Sequence, residues 1–229
     1  MHKLYLSLLL FLIGEIATAQ LPVLQWAKAF HASNMYNYTS YSNGRSIGVD
    51  QQGNVYAAGL FTNTVDFDPG PNVYTLAAGG YGERAIYISK LASDGNFVWA
   101  KQLPVLVEFG NIELKIDNEG NILLASDLRH PADMDPGPGV HMMKPIGAKD
   151  AFVIKLNSDG NLLWVKQFGG PGDTVPNANV LAADKDNNVI ICGGFNATVD
   201  FDPGPDSYNL TSSAHIQSYI VKLSSKGDF

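Results

Sequence analysis

The sequence predicts an all-β fold built from repeated units of four antiparallel strands. One observation is a motif, Val-Asp-Phe-Asp-Pro-Gly-Pro at residues 65–71, which returns as Ala-Asp-Met-Asp-Pro-Gly-Pro at 132–138 and unchanged at 199–205. Both intervals are 67 residues (133 − 66 and 200 − 133). A second observation is that short segments of alternating apolar residues lie between turns rich in Gly and Asn, with no helical periodicity after the N-terminus. A fixed period of this length marks a repeat array.

Each unit begins with a short strand, a, in which apolar residues alternate with other residues. The apolar pairs of strand a are Ile47 and Val49, Leu114 and Ile116, and Leu181 and Ala183. A turn follows in each unit, at residues 50–54, 117–121 and 184–188. Gly or Asn in these turns supplies the positive φ that a tight hairpin needs. Strand a is therefore predicted to form a hairpin with the next strand, b.

Strands b, c and d complete the unit. Strand b is predicted at 55–61, 122–126 and 189–194, and strand c at 86–91, 151–156 and 218–223. A second hairpin turn lies at 93–96, 158–161 and 225–228. Strand d contains the three tryptophans of the chain, in Trp-x-Lys segments at 26–28, 99–101 and 164–166. A recurring aromatic residue at this spacing favours a place in the core between units over a sugar-stacking platform.

More than 20 residues separate strands b and c, from Thr62 to Arg84 in the first unit. A structureless loop of that length is uncommon in a compact repeat, so an accessory hairpin is predicted, with residues 64–67 against 73–76. Asp68 opens its turn, Pro69 fixes φ and Gly70 supplies positive φ. The apolar anchors expected for the accessory hairpins are Leu76, Met143 and Leu210.

Four-stranded units of this size are typical of β-propeller blades, which stack radially and bury both faces. The repeat region is predicted at residues 20–229, with repeat cores at about 44–103, 110–168 and 177–229. The strand order d, abcd, abcd, abc makes about three blades, whereas propellers typically have 4 to 8. We therefore expect an N-terminal fragment or open arc of a larger propeller. Two such chains forming a six-bladed ring is the alternative.

The N-terminus predicts export from the cytoplasm. Lys3 is followed by an apolar stretch at residues 4–13 and by Ala17-Thr18-Ala19, which is typical of a signal peptide spanning residues 1–19. The stretch is too short to span a bilayer, so no transmembrane segment is expected after cleavage. Removing residues 1–19 deletes one Lys and one Glu and leaves the net charge at −7. This acidic balance argues against nucleic acid as a partner.

The single cysteine, Cys192, cannot form a disulfide within the chain. It stands at the repeat position of Ala58 and Ala125, each 67 residues apart (192 − 125 and 125 − 58). This position predicts a small buried core residue.

The motifs taken together resemble a known family, the secreted β-propeller repeat called the SBBP repeat, which is frequent in exported proteins of Bacteroidetes. The resemblance rests on segments at 50–56, 64–70, 90–96 and 99–101 and their counterparts, and it covers nearly all of the chain after residue 19. It implies a propeller and an exported location, often with further domains. It implies no reaction.

Paired carboxylates in the repeated motif are the candidate metal ligands, because clustered carboxylates and carbonyls bind Ca²⁺. They are Asp66, Asp68, Asp133, Asp135, Asp200 and Asp202. Each unit offers only two carboxylates, so a role in the turn by side-chain to backbone hydrogen bonding is favoured over calcium. No other cofactor is predicted.

The sequence favours a secreted or cell-surface binding and scaffolding module without catalytic activity of its own. Its partner would be an extracellular protein or a glycan. The alternative is a carbohydrate-active propeller enzyme, a lyase or glycosidase, with its site at the channel mouth. That alternative needs acids that break the repeat, and Glu108 is the first acid to inspect.

Overall fold

A computed structural model of the chain describes residues 24–32, 41–79, 83–105, 111–174, 176–213 and 215–229. Over these residues all regular secondary structure is β-strand. In chain order the strands are β1 (His31–Ala32), β2 (Ser42–Val49), β3 (Val55–Thr62), β4 (Thr64–Asp66), β5 (Thr75–Ala77), β6 (Arg84–Leu91), β7 (Phe97–Leu103), β8 (Glu113–Ile116), β9 (Ile122–Leu128), β10 (Ala132–Asp133), β11 (Met142–Met143), β12 (Asp150–Leu156), β13 (Leu162–Phe168), β14 (Val180–Ala183), β15 (Val189–Phe195), β16 (Thr198–Asp200), β17 (Asn209–Thr211) and β18 (Gln217–Leu223).

Three antiparallel sheets form the blades. Blade 1 has the order β2-β3-β6-β7 and blade 2 the order β8-β9-β12-β13, which is the predicted a-b-c-d arrangement. Blade 3 has the order β14-β15-β18, so in the described part of the chain it contains strands a, b and c. The fold is thus all-β and propeller-like, with about three blades, as the repeat predicts.

Neighbouring blades stack through alternating apolar side chains. One buried cluster joins strands of blade 1 to strands of blade 2, and a second joins blade 2 to blade 3. The inner strands approach closely, because a Cβ added at Gly48 would lie 2.8 Å from the side chains of Leu114 and Ile116. Burial of both faces of blade 2 follows from this stacking, and β9 and β12 are buried along their whole length.

The accessory hairpins are present in all three units, as β4 with β5, β10 with β11, and β16 with β17. The expected anchors, Leu76, Met143 and Leu210, are only half-buried at the margin of the apolar clusters. The deep anchors are instead the middle residues of the Asp-x-Asp motif, which are 0 to 1% exposed: Phe67, Met134 and Phe201. The motif therefore fastens each hairpin to its blade.

The hairpin turns between strands confirm the prediction of positive φ. Gly53, Gly120 and Asn187 have φ of 81°, 80° and 62° in the a–b turns. The prediction for Gly70 is wrong, because the backbone there is not in the left-handed region. Glycine is needed at that position for space, since an added Cβ would lie 2.9 Å from Oδ1 of Asp68.

The N-terminal Trp-x-Lys segment at 26–28 is not part of a strand, which corrects the prediction of strand d there. The chain instead runs along blade 1 and pairs β1 with β4, His31 opposite Asp66. Phe30 packs on Phe67, with ring centroids 5.0 Å apart. The predicted signal peptide at residues 1–19 lies outside the described residues. Across the described ranges, no helix is long and apolar enough to cross a membrane.

Candidate functional site

The repeated Asp-x-Asp-Pro-Gly segments are tight turns stabilised by carboxylates. Oδ1 of Asp66 accepts hydrogen bonds from the amides of Asp68, at 3.1 Å, and Tyr74, at 2.9 Å. Oδ1 of Asp68 accepts one from the amide of Gly70 at 2.8 Å. Each aspartate therefore satisfies backbone donors that the turn would otherwise leave open.

The same bonds recur in the other two units. Asp133 accepts from the amides of Asp135 and His141 at 3.0 and 2.8 Å, and Asp135 accepts from Gly137 at 2.7 Å. In the third unit the acceptors are Asp200, with the amides of Asp202 and Tyr208, and Asp202, with that of Gly204.

Burial raises the pKa of Asp200, but hydrogen bonds from the amides of Asp202 and Tyr208 and from Ser207 outweigh it, so that the pKa is lowered. The carboxylate is thus held ionised by the turn itself. Among the described residues, three or more His, Cys, Asp or Glu side chains do not meet in a group that could hold a metal ion. Calcium at the six aspartates stays the less favoured of the two roles that the sequence predicts.

Large exposed side chains recur on the three accessory hairpins. The hairpins expose Val73 and Tyr74 in the first unit, Val140 and Met142 in the second, and Tyr208 in the third. The two tyrosines stand at one repeat position, and each packs at a tilt against a phenylalanine ring that also occupies matching positions. The Tyr74 and Phe97 centroids are 5.0 Å apart at 43°, and the Tyr208 and Phe229 centroids are 5.0 Å apart at 40°. These contacts fix the tyrosines on the surface.

The tryptophans join each unit to the next one. The indole Nε1 of Trp26 donates to the carbonyl of Ser93 at 3.0 Å, that of Trp99 to Ser158 at 3.3 Å, and that of Trp164 to Ser225 at 3.2 Å. The rings are half-buried rather than enclosed. Their place between units is as predicted, although a hydrogen bond to a turn accompanies the apolar contact.

A strand-c lysine reaches the same carbonyl. Lys90 Nζ donates to the Ser158 carbonyl at 3.2 Å, and Lys155 Nζ donates to the Ser225 carbonyl at 3.3 Å. We call the indole, the lysine and the serine carbonyl of the following turn the inter-blade clasp. In the second clasp Lys155 also contacts Asp117 Oδ2 at 2.8 Å, and both side chains are buried.

Burial raises the pKa of Asp117, and hydrogen bonds from Lys155 and Asn121 outweigh this effect, leaving the pKa lowered. The matching pair in blade 3, Lys222 and Asp184, is 2.7 Å apart, with the lysine side chain 57% exposed and the aspartate side chain 23% exposed. The five residues 184–188, which superficially resemble a calcium loop, form a hairpin turn in which Asp184 accepts from the amides of Asp186 and Asn188.

A buried charged cluster that the sequence interpretation missed lies at one end of blade 2. Lys149 Nζ is 3.2 Å from Asp127 Oδ2, and both side chains are 9% exposed. Burial raises the pKa of Asp127, and Lys149, Arg129 and the amide of Ala178 offset this only in part. Oδ1 of Asp127 makes no hydrogen bond of normal geometry to the described part of the chain.

The sequence signal that could have indicated Asp127 is a break in the repeat. Asp127 occupies the position held by Leu60 in blade 1 and Gly194 in blade 3, so a charge there departs from the pattern. Arg129 and His130, which also break the repeat, are exposed on a loop. Glu108 lies outside the described residues.

Cys192 is half-buried, whereas its counterparts Ala58 and Ala125 are fully buried. The expectation of a buried core residue is therefore wrong in degree. Cys192 is more exposed than its counterparts because it lies on the face of blade 3 that no other described blade covers.

No family model matches the chain. The chain is similar to a curated protein of Acanthamoeba polyphaga mimivirus, described as the uncharacterized WD repeat-containing protein L264, with 24% identity over 222 residues. The match covers 86% of this chain and 15% of that protein, so the chain spans a small part of its relative. Together with the three sheets, this similarity fits a repeated, propeller-like β fold.

A crystal structure of a protein of unknown function from Bacteroides caccae matches 88% of this chain and 92% of its own, at 10% identity and a TM-score of 0.28. A score that low carries no argument. The resemblance to the SBBP repeat stays a prediction, and the similarity to the WD repeat-containing protein supports a β-rich repeat protein.

Proposed function

We propose that the chain is an exported binding and scaffolding module whose recognition surface is formed by the accessory hairpins. The observation that carries this proposal is the repeated exposure of large side chains at matching hairpin positions, on a scaffold whose blades are otherwise closely packed. Repeat scaffolds use such repeated positions as extended binding surfaces.

The geometry of the conspicuous acids supports binding rather than catalysis. The motif aspartates accept backbone hydrogen bonds within their own turns, and the tryptophans are engaged between units. On the hairpin surface, Tyr74 and Tyr208 are exposed and fixed in place, so they are the candidates for recognition. A tyrosine fixed by a neighbouring ring suits either a sugar face or an apolar protein patch, so the partner is an extracellular glycan or protein.

A binding screen tests the proposal. The purified chain is applied to arrays of bacterial and host glycans and of extracellular proteins, and the best ligand is then titrated against Tyr74→Ser and Tyr208→Ser. We expect either change to weaken binding about tenfold, which corresponds to about 1.4 kcal/mol, because exposed aromatic anchors are frequent binding hot spots. Leu163→Ser, which changes an exposed apolar residue on strand β13, is the control and should bind like the parent.

Export is tested separately. Cell fractionation and N-terminal sequencing should find the protein outside the cytoplasm, beginning at Gln20. A protein that stays in the cytoplasm and still contains residues 1–19 would contradict this part of the proposal.

Asp127 is the one observation in favour of the carbohydrate-active alternative, because a raised pKa is what a general acid requires. Its burial and its pairing with Lys149 favour a structural role. Turnover of a polysaccharide by the parent, abolished by Asp127→Asn or Glu108→Gln while folding is retained, would establish the enzyme and overturn the binding-only proposal.

A further inference from the structure

A pocket of about 190 Å³ lies where the tip of the first accessory hairpin meets the turn between β6 and β7. We call it the hairpin pocket. Its walls include the polar side chains of Lys28, Asp68, Asn72 and Asn96 and the half-buried ring of Phe97. Pockets for drug-sized ligands measure roughly 300–1,000 Å³, so this one has room for a single small ring.

Lys28 gives the hairpin pocket a donor that the fold does not use. Its stem is held against the turn, because a Cβ added at Gly95 would lie 3.0 Å from Cε of Lys28. Nζ of Lys28 makes no hydrogen bond or ion pair with the described part of the chain. In the next unit, Nζ of Lys101 donates to the carbonyl of Gly160 at 2.9 Å and to Oδ1 of Asn161 at 3.0 Å. The amine of Lys28 is therefore available to a ligand.

Asp68 supplies an acceptor in the same pocket. Its Oδ1 accepts from the amide of Gly70 at 2.8 Å, whereas its Oδ2 accepts no hydrogen bond from a described residue. The second unit is closed at this point, since a Cβ added at Gly139 would collide with Oδ2 of Asp135. The first unit has Asn72 in place of that glycine, and its exposed amide lines the pocket.

Phe97 forms the apolar wall of the hairpin pocket. Its ring packs against that of Tyr74, with centroids 5.0 Å apart, so the wall is fixed and continues into the exposed hairpin surface. The second unit has Leu162 after the matching turn and His141 at the position of Tyr74. The pair of rings is therefore a feature of the first unit that the second unit lacks.

We propose that the hairpin pocket binds one uncharged sugar residue of a glycan. The C–H face of the sugar packs on Phe97, one hydroxyl accepts from Nζ of Lys28, and another donates to Oδ2 of Asp68. A hydroxyl both donates and accepts, so a sugar can satisfy an ammonium and a carboxylate in one small pocket. Asp68 disfavours an anionic ligand and Lys28 a cationic one.

This inference rests on the proposed function, because it names the ligand class of the hairpin surface around Tyr74. It adds that recognition reaches from the exposed tyrosine into a polar pocket beside it. It also predicts that the first unit binds a sugar that the second unit does not.

Saturation-transfer NMR with simple sugars tests the proposal. The probes are the methyl glycosides of glucose, galactose, mannose and N-acetylglucosamine. At least one of them should receive saturation from the folded chain and shift the side-chain amide signals of Asn72 and Asn96. A dissociation constant on the order of 1 mM is expected, because a single sugar ring has few atoms in contact.

Three substitutions locate the binding. Phe97→Leu introduces the residue of the second unit, Lys28→Gln removes the ammonium, and Asp68→Asn keeps an oxygen for the amide of Gly70 while replacing the second oxygen. Each should weaken binding of the methyl glycoside about tenfold or more. Lys115→Gln changes an exposed lysine on β8 and is the control, which should bind like the parent. Thermal melts establish that each variant is folded.

The outcomes separate this inference from the proposed function. Parent-like affinity in the three folded variants overturns the inference, and so does the absence of binding to all four methyl glycosides. If array ligands still depend on Tyr74 in either case, the hairpin surface remains the recognition surface and only the sugar pocket is wrong. Tighter binding of methyl glucuronide than of the neutral sugars, lost in Lys28→Gln, would indicate an anionic ligand and overturn the assignment to an uncharged sugar.

Discussion

Lys155 provides the sharpest test of the buried ion pair that accompanies the second inter-blade clasp. The substitution Lys155→Met keeps the length of the apolar stem and removes the charge. Lys155 and Asp117 are 4% and 0% exposed in their side chains, and Nζ lies 2.8 Å from Oδ2. Removing one partner of a buried pair leaves an uncompensated charge and costs about 3 to 5 kcal/mol.

Blade 3 supplies the matched control. Lys222 stands at the same repeat position and contacts Asp184 at 2.7 Å, but the lysine side chain is 57% exposed. Water solvates Asp184 when the lysine is removed, so Lys222→Met should change stability little. The assay is urea unfolding followed by tryptophan fluorescence, with the free energies of unfolding compared at neutral pH. Equal effects of the two substitutions would refute the reasoning.

The pH dependence follows from the pKa of Asp117, which lies below the ordinary value of 3.8 in the folded state. A carboxylate with a lowered pKa contributes stability that is fully present above 3.8 and is lost as the pH falls through the folded pKa. In Lys155→Met the pKa of Asp117 should rise, because burial then acts without the lysine. The acid unfolding midpoint should therefore move to higher pH, and an unchanged midpoint would contradict the assignment.

The remaining predictions concern the turns, the hairpin anchors and the metal. Both Gly160 and Gly120 have positive φ, but only a Cβ at Gly160 would lie about 3 Å from Trp99 and Lys101. Gly160→Ala should therefore lower the free energy of unfolding in urea more than Gly120→Ala does. Equal decreases in that free energy would contradict the clash. Phe201→Ala should cost about 3 to 5 kcal/mol and Leu210→Ala clearly less, and the reverse order would refute the anchor assignment. Adding a chelator should leave the melting temperature unchanged if the aspartates act in turns, whereas a lowered temperature would favour calcium.

Much of the blade could be predicted from the sequence, because alternation and turn residues are local signals that repeat. The a–b turn at Gly53 and the strand order of blades 1 and 2 follow from them. Trp26 could not be placed from its motif, because strand pairing depends on a neighbour that the motif does not contain. The same holds for Cys192, whose burial depends on whether another blade covers it.

The candidate site was harder to predict, because the role of its residues also depends on neighbours that the motif does not contain. Six aspartates drew attention as metal ligands, although what decides their role is where the nearby amides point, and that depends on backbone geometry. The apolar residue between each pair, such as Phe67, was the more informative position, since it anchors the hairpin. Asp127 could have been found by comparing units, because a charge replaces Leu60 there.

The most direct test of the inter-blade clasp is hydrogen exchange at the indole N–H groups of the three tryptophans. A ¹⁵N–¹H spectrum should contain three indole signals, from Trp26, Trp99 and Trp164. Each group donates to the carbonyl of the following unit, so all three signals should exchange more slowly than in a free indole, and the exposed Trp26 bond should be the fastest. Three indoles that exchange at the rate of free tryptophan in the folded chain would contradict the account.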